Sequence, residues 1–134
     1  MKHVAVIALG LLAAACAATP EPDPLGGLFG VSAAQSNRVA PTLNAHPFGS
    51  AENPVRADMP PGQRAYLARL RCADDRAPQF RRVGSFGVGP YGGVIDGYEV
   101  LCPGSSPASS IIYIDMYHPD HRETRAPAGF KIVP

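Results

Sequence analysis

A chain of 134 residues has room for one modest domain, and its formal net charge of +1 gives no electrostatic reason to expect a nucleic-acid partner. Gly (14) and Pro (15) together exceed a fifth of the chain, against roughly 12% in average proteins, so much of the chain is expected to be loop or linker. Once a targeting segment and a linker are set aside, about 80 residues remain, which is near the lower size at which an apolar core suffices without a staple.

The amino terminus has the pattern of a secretory signal. Met1-Lys2-His3 is a short basic start, residues 4–15 are an apolar run, and Cys16 follows directly. The run is too short for a membrane-spanning helix, which needs about 20 apolar residues. The sequence therefore predicts a signal peptide over residues 1–15 and an exported protein.

The end of this signal allows two kinds of processing. Leu12-Ala13-Ala14-Ala15-Cys16 resembles the bacterial lipobox, whose Cys becomes the acylated first residue of a lipoprotein, although Ala13 stands where Leu is usual. The alternative is ordinary cleavage after Ala18. We favour lipidation of Cys16, because a free thiol is a poor companion for disulfides in an oxidising compartment. The expected location is the bacterial cell envelope, at the outer membrane and facing the periplasm, with a soluble periplasmic or secreted protein as the alternative.

Residues 16–51 are rich in Pro, Gly and Ala and show no sustained helical or strand period. We therefore predict a flexible tether over this segment and a folded domain over residues 52–134.

The first predicted element of the domain is a short helix over residues 63–71. Pro60-Pro61 is tolerated in a first helical turn, and Tyr66, Leu67 and Leu70 follow at three- and four-residue spacings. Residues 66–72 also alternate between apolar and polar positions, so an edge strand remains an alternative.

Three segments of strand character follow, over residues 79–88, 94–102 and 110–118, with a short final strand over residues 130–133. The third is the clearest, because Ile112 and Ile114 alternate with Tyr113 and Asp115. The connections over residues 89–93 and 103–107 have hairpin length and content, which favours antiparallel neighbours. The predicted fold is α+β, a small antiparallel meander of three to four strands with one packed helix and one disulfide.

That disulfide is predicted from the remaining cysteines. With Cys16 assigned to lipid, Cys72 and Cys102 are left in an oxidising compartment and are expected to pair. The role of this disulfide is predicted to be structural, because a redox function needs C-x-x-C spacing or an exposed thiol of low pKa.

No catalytic residues are assigned, and we expect a protein that is not an enzyme and has no cofactor. No serine lies in a G-x-S-x-G turn, and Asp96 and Glu99 have no identified partner for acid–base chemistry. A small ligand- or metal-binding module built on His118, His121 and Asp115 is kept as the alternative function. Because zinc needs three or four convergent ligands and Pro119 leaves the direction of His121 undefined, no metal ligand is assigned.

The preferred interpretation is a cell-envelope lipoprotein that binds another envelope protein. Tyr and Arg are enriched at protein interfaces, and these residue types supply most of the candidate contact surface. The candidate surface consists of Arg69, Arg71, Tyr91, Tyr113, Tyr117 and His118. The membrane is contacted through the lipid on Cys16, no nucleic acid is expected, and the oligomeric state is left open.

Four segments carry a resemblance to other proteins. They are N-P-V-R at residues 53–56, Y-L-A-R-L-R-C at 66–72, G-P-Y-G at 89–92 and I-Y-I-D-M-Y-H at 112–118. Together they resemble small secreted or lipid-anchored proteins of proteobacteria that have no assigned activity. The resemblance covers most of residues 52–118, and it implies one exported domain with a bridge and no catalytic residues.

Overall fold

The structure, a computed structural model, describes residues 30–134. The elements in this range are α1 (Ala33–Leu43), β1 (Val55–Arg56), α2 (Met59–Arg69), β2 (Leu70–Arg71), β3 (Gln79–Val88), β4 (Val94–Leu101), β5 (Ser109–Asp115) and β6 (Lys131–Ile132). The predicted signal peptide, its lipidation site Cys16 and the first part of the predicted tether lie outside the described residues. No helix within residues 30–134 is long and apolar enough to cross a membrane.

The main sheet has four strands in the order β1-β5-β4-β3. The pairs β3–β4 and β4–β5 are antiparallel, which confirms the predicted meander and the α+β class. The outermost strand beside β5 is β1, and it runs parallel to β5. The predicted final strand forms as β6, but it pairs with β2 in a separate two-stranded sheet. The chain after β5 thus returns to the end of α2.

Helix α2 supplies the layer that covers one face of the sheet. Pro60 and Pro61 occupy its first turn, where a missing N–H costs no helical hydrogen bond. Tyr66 and Leu67 point into the core, and the chain leaves the helix at Leu70 to form β2. The helix and strand alternatives for this segment therefore each hold for part of it.

The core lies between α2 and the inner face of the sheet. Its side chains come from five elements and a flanking residue, and several are completely buried. The cluster consists of Val55, Ala57, Tyr66, Leu67, Leu70, Tyr98, Val100, Ile112 and Ile114. Each large aliphatic side chain removed from water in this way contributes about 1.5 to 3 kcal/mol.

The predicted disulfide is present between Cys72 and Cys102, with the two Cα atoms 5.7 Å apart. Cys72 follows β2 and Cys102 follows β4, so the bond joins the two sheets of the fold.

The structure corrects the predicted tether. Residues 33–43, which the sequence analysis assigned to it, form helix α1, whose Ser32 side chain caps the backbone N–H of Gln35. Leu43 and Ser36 are buried. Helix α1 has no strong apolar stripe, so its order depends on contacts with residues far along the chain.

Candidate functional site

The two arginines of the predicted contact surface are engaged with the backbone. The Nη2 of Arg69 donates to the Glu123 carbonyl at 2.6 Å, and the Nη1 of Arg71 donates to the Leu70 carbonyl at 2.6 Å. These hydrogen bonds hold both arginine side chains on the domain's own backbone. The two guanidinium groups therefore have a structural role at the junction of α2 and β2.

Tyr91 and His118 are buried, each only 3% exposed, and this corrects their assignment to an exposed binding surface. Their rings meet edge to face, with centroids 4.8 Å apart. The physical reason is α1, whose Ser36 reaches His118 and hydrogen-bonds its ring. The sequence analysis placed α1 in the tether and so left this end of the sheet uncovered.

Tyr113 and Tyr117 are half-buried. Tyr113 lies on the outer face of the sheet, and its ring meets that of Phe86 edge to face with centroids 5.1 Å apart. Phe86 comes from β3 and lies across Gly97 of β4, where an added Cβ would be 2.4 Å from the Phe86 ring. A glycine at this position therefore permits the aromatic pair to form.

Strand β3 is the most exposed regular element of the described residues. It forms one edge of the main sheet, and no described strand pairs with its outer side. Nine of its ten positions are exposed, and the tenth is intermediate. Its large apolar side chains are Phe80 (36% exposed), Val83 (38%), Phe86 (49%) and Val88 (74%). They lie on both faces of this edge, since Phe80 pairs with Val100 of the core face whereas Phe86 packs on Tyr113 of the outer face. These four side chains together with Tyr113 are called the β3 surface below.

The register of β3 divides it into two parts. Residues 79–82 pair in regular succession with Leu101 to Tyr98 of β4. Register shifts follow between Arg82 and Gly84 and between Ser85 and Val88. Such bulges twist an edge strand and leave residues unpaired, so regular backbone pairing on the outer side is available only over residues 79–82.

The charges beside the β3 surface are paired within the molecule. Arg81 lies 2.6 Å from Glu99, and Arg82 lies 2.7 Å from Asp96. Burial raises the pKa of Asp96, but hydrogen bonds from Arg82, Gln63 and Ser85 outweigh it and the pKa is lowered. The β3 surface is therefore apolar with compensated charges, rather than basic.

A second feature is a buried polar cluster on the outer face, at the end of the sheet that α1 covers. The Ser36 Oγ lies 2.8 Å from the His118 Nδ1, and the His118 Nε2 lies 3.5 Å from an Asp115 carboxylate oxygen. Asp115 is 0% exposed, Ser36 2% and His118 3%. Ser36 comes from α1, Asp115 from the end of β5, and His118 from the loop after β5.

The cluster adjoins a cavity of about 230 Å³, called the Ser36 pocket below. Its lining includes Ser36, Asn37, Arg56, His118, Asp120 and His121. Sequence reasoning missed Ser36, because 82 positions separate it from His118 and no local pattern distinguishes it.

The residues of the alternative ligand-binding module are brought together only in part. His118 adjoins Asp115, but the Nε2 of His121 lies 3.5 Å from a Glu123 carboxylate oxygen. No group of three or more His, Cys, Asp or Glu side chains within residues 30–134 is arranged to hold a metal ion.

Comparison of the chain with models of protein families, with curated proteins and with solved structures finds no match. Functional inference for this molecule therefore depends on the β3 surface, the Ser36 pocket and the sequence of the amino terminus.

Proposed function

We propose that this protein is a lipid-anchored binding protein of the bacterial cell envelope, and that its domain binds another envelope protein through the β3 surface. The observation that carries the proposal is the exposed apolar edge strand. Soluble proteins usually have edge strands that are short, charged or covered, because an open edge can pair with other chains. An exposed group of large apolar side chains is typical of an interaction site.

The form of the edge favours a partner that adds an extended segment. Backbone N–H and C=O groups on the outer side of residues 79–82 can pair with a further strand, and apolar side chains beside them can take up alternate side chains of that strand. Phe86 and Tyr113 add a packed aromatic pair next to this position. Aromatic side chains of this kind are enriched among residues that dominate binding energy.

Charge selects among extended partners. Arg81 and Arg82 already have Glu99 and Asp96 as counter-charges, so an acidic segment would find no uncompensated positive charge at this edge. An acidic segment would also have to leave water without an ion partner, which costs free energy. We therefore assign the partner as a protein with an extended, uncharged apolar segment.

The anchor part of the proposal rests on the amino terminus. The short basic start, the apolar run and Cys16 support export and lipidation, and the resemblance to small secreted or lipid-anchored proteins of proteobacteria agrees with it. Among the described residues, α1 begins close to the predicted anchor in sequence. The stretch between Cys16 and Gly30 is rich in Pro and Gly, as expected for a spacer.

The partner can be tested by photo-crosslinking in the native host. A photoreactive amino acid replaces Phe86 in one strain and the exposed Thr42 of α1 in a control strain, and adducts are identified by mass spectrometry. We expect one adduct from position 86 that is absent at position 42, with the crosslink in an uncharged apolar segment of another envelope protein. An adduct between two copies of this chain, a crosslink to a charged segment, or equal labelling at both positions would each refute the assignment.

The anchor is tested on the same material by the intact mass of the mature protein, with and without reductant. A diacyl or triacyl mass on Cys16 is expected in the membrane fraction. A mature chain that begins at Thr19 and carries no lipid would refute the lipid anchor. The crosslinking result would then still test the partner at the β3 surface.

A further inference from the structure

We propose that Ser36, His118 and Asp115 form a site that hydrolyses short-chain esters, in which Ser36 is the nucleophile and His118 the general base. This activity goes beyond protein binding at the β3 surface and does not depend on it. The local sequence patterns indicate no enzyme, because no such pattern joins these three residues. The cluster joins three residues that only the fold brings together.

The hydrogen-bond geometry sets the roles of the two ring nitrogens. The Ser36 Oγ is 2.8 Å from the His118 Nδ1, within the range that allows a base to take a hydroxyl proton. A neutral imidazole carries one N–H, and the Nε2 is the nitrogen that faces the Asp115 carboxylate at 3.5 Å. With the proton on Nε2, the Nδ1 lone pair is free to accept the Ser36 proton. Hydroxyl, imidazole and carboxylate follow the order of the serine hydrolase triad with the two ring nitrogens exchanged, but the Nε2 has no hydrogen-bond partner among the described residues and meets the carboxylate only as a neighbouring charge at 3.5 Å.

The surroundings of Asp115 favour a charged imidazolium during the reaction. Asp115 is 0% exposed, and one carboxylate oxygen accepts the backbone N–H of Tyr117 at 3.0 Å. The other carboxylate oxygen has no hydrogen-bond partner among the described residues. A carboxylate held in a water-poor site stabilises a positive charge that develops beside it more strongly than it would in water. Asp115 thus acts as a positioning residue.

The Ser36 pocket supplies room for a substrate and a positive charge in its lining. Its volume of about 230 Å³ lies below the ~300 to 1,000 Å³ of sites for drug-sized ligands, so it admits only a short acyl group. Arg56 lines the pocket, and its Nη1 donates to the Asn37 side-chain oxygen at 3.4 Å. The positive charge of a guanidinium in the lining favours the negative charge that forms on a carbonyl oxygen under attack.

The proposed reaction balances without a further reagent. The Ser36 Oγ bonds to the ester carbonyl carbon while its proton passes to the His118 Nδ1. The C–O bond to the alcohol breaks, and His118 returns the proton to the departing oxygen. Water, deprotonated by His118, then attacks the acyl-serine, and the bond to the Ser36 Oγ breaks as His118 returns the proton to that oxygen, which releases the carboxylic acid and free Ser36.

The first test is modification of the wild-type protein by a small fluorophosphonate. Attack by the Ser36 Oγ forms an O–P bond and expels fluoride, and the serine proton leaves with it. We expect one phosphonate per chain, located on Ser36 by peptide mass spectrometry, and hydrolysis of p-nitrophenyl acetate that stops once Ser36 is modified. A wild-type protein that stays unmodified, or is modified elsewhere, would overturn the proposal whether or not any variant folds.

Variants then separate the roles of the three residues. Ser36→Ala and His118→Asn are expected to lower ester hydrolysis at least 100-fold, while the controls Ser109→Ala and His46→Asn change exposed side chains and leave it unaltered. Asp115→Asn is expected to lower kcat with little change in KM, because the imidazolium formed in the transition state loses its counter-charge while the substrate contacts remain. Circular dichroism verifies that each variant is folded. Folded Ser36 and His118 variants with unchanged activity would contradict the assignment.

Discussion

At the scale of single residues, the interior of this domain depends on buried polar groups that satisfy one another. Gln63 of α2 is 1% exposed and stands between the helix and the sheet. Its side-chain amide donates to Asp96 at 3.2 Å, and its carbonyl oxygen accepts the Tyr98 hydroxyl at 2.8 Å. A buried polar atom that loses its only partner costs more free energy than the hydrogen bond had contributed.

Replacement of this glutamine tests the network directly. Gln63→Leu retains most of the side-chain volume but leaves the Tyr98 hydroxyl and one Asp96 oxygen without a partner. We expect the free energy of unfolding to fall by about 3 kcal/mol, measured by urea denaturation. The control Gln35→Leu alters an exposed glutamine of α1 and should stay within about 0.5 kcal/mol of the wild type. Equal effects of the two substitutions would show that the Gln63 hydrogen bonds do not support the core.

Individual partners of this kind are difficult to predict from sequence. The sequence identifies no acid–base partner for Asp96, and the structure surrounds this carboxylate with Arg82, Gln63 and Ser85. The register shift after Arg82 determines which β3 side chains reach Asp96, and alternation alone does not reveal such a bulge. Ser36 illustrates the same limit, because its contact with His118 links segments that are remote in sequence.

At the scale of elements, predictability follows the strength of the local pattern. The sequence places β3 at its observed bounds and β4 and β5 within about one to three residues, because alternation and the Gly- and Pro-rich hairpin connections define them. Helix α1 is not predicted, since it buries few apolar side chains and includes Pro41. Its contacts include the Ser32 cap, which is local, and the burial of Leu43 and the Ser36–His118 hydrogen bond, which both require the whole fold.

The disulfide is the element-scale feature with the clearest energetic prediction. Cys72 and Cys102 are 30 positions apart, and closing a loop of that size stabilises the native state by roughly 3 to 4 kcal/mol in the chain-entropy model. The double variant Cys72→Ala/Cys102→Ala should lose about that much in urea denaturation. Wild-type protein under a strong reductant provides the matched comparison. A loss below about 1 kcal/mol in both would mean that the bond constrains the unfolded chain very little.

At the scale of the whole molecule, the segment after β5 ties α2 to the amino-terminal part of the domain. The Tyr66 hydroxyl donates to the Arg125 carbonyl at 3.0 Å, and the Arg125 guanidinium lies 4.0 Å from the centre of the Phe48 ring. Glu123 holds this segment in shape, since one of its oxygens accepts the backbone N–H groups of Thr124 and Arg125. The carboxylate is buried at 5% exposure, so its ionisation is coupled to folding.

This coupling predicts a loss of stability in acid. Burial raises the pKa of Glu123, but hydrogen bonds from His121 and Arg125 outweigh it and lower the pKa from 4.5 to about 2. In the unfolded chain Glu123 takes up its proton near pH 4.5, and in the folded chain only near pH 2. The contribution of Glu123 to the free energy of unfolding is therefore complete above pH 4.5 and is lost as the pH falls from 4.5 to 2. The stabilisation lost is on the order of 3 kcal/mol.

Urea denaturation of the wild type and of Glu123→Gln at pH 7, 4.5, 3 and 2 measures this contribution. The variant should be less stable than the wild type at pH 7, and the difference should shrink towards pH 2 as the wild-type carboxylate is protonated. Glu99→Gln is the control, because Glu99 pairs with the exposed Arg81 and such pairs contribute at most about 1 kcal/mol. A Glu123→Gln difference that stays constant from pH 7 to pH 2 would show that the effect comes from packing. A difference that closes over the window would identify Glu123 as a carboxylate whose charge maintains the connection between α2 and the amino-terminal segment.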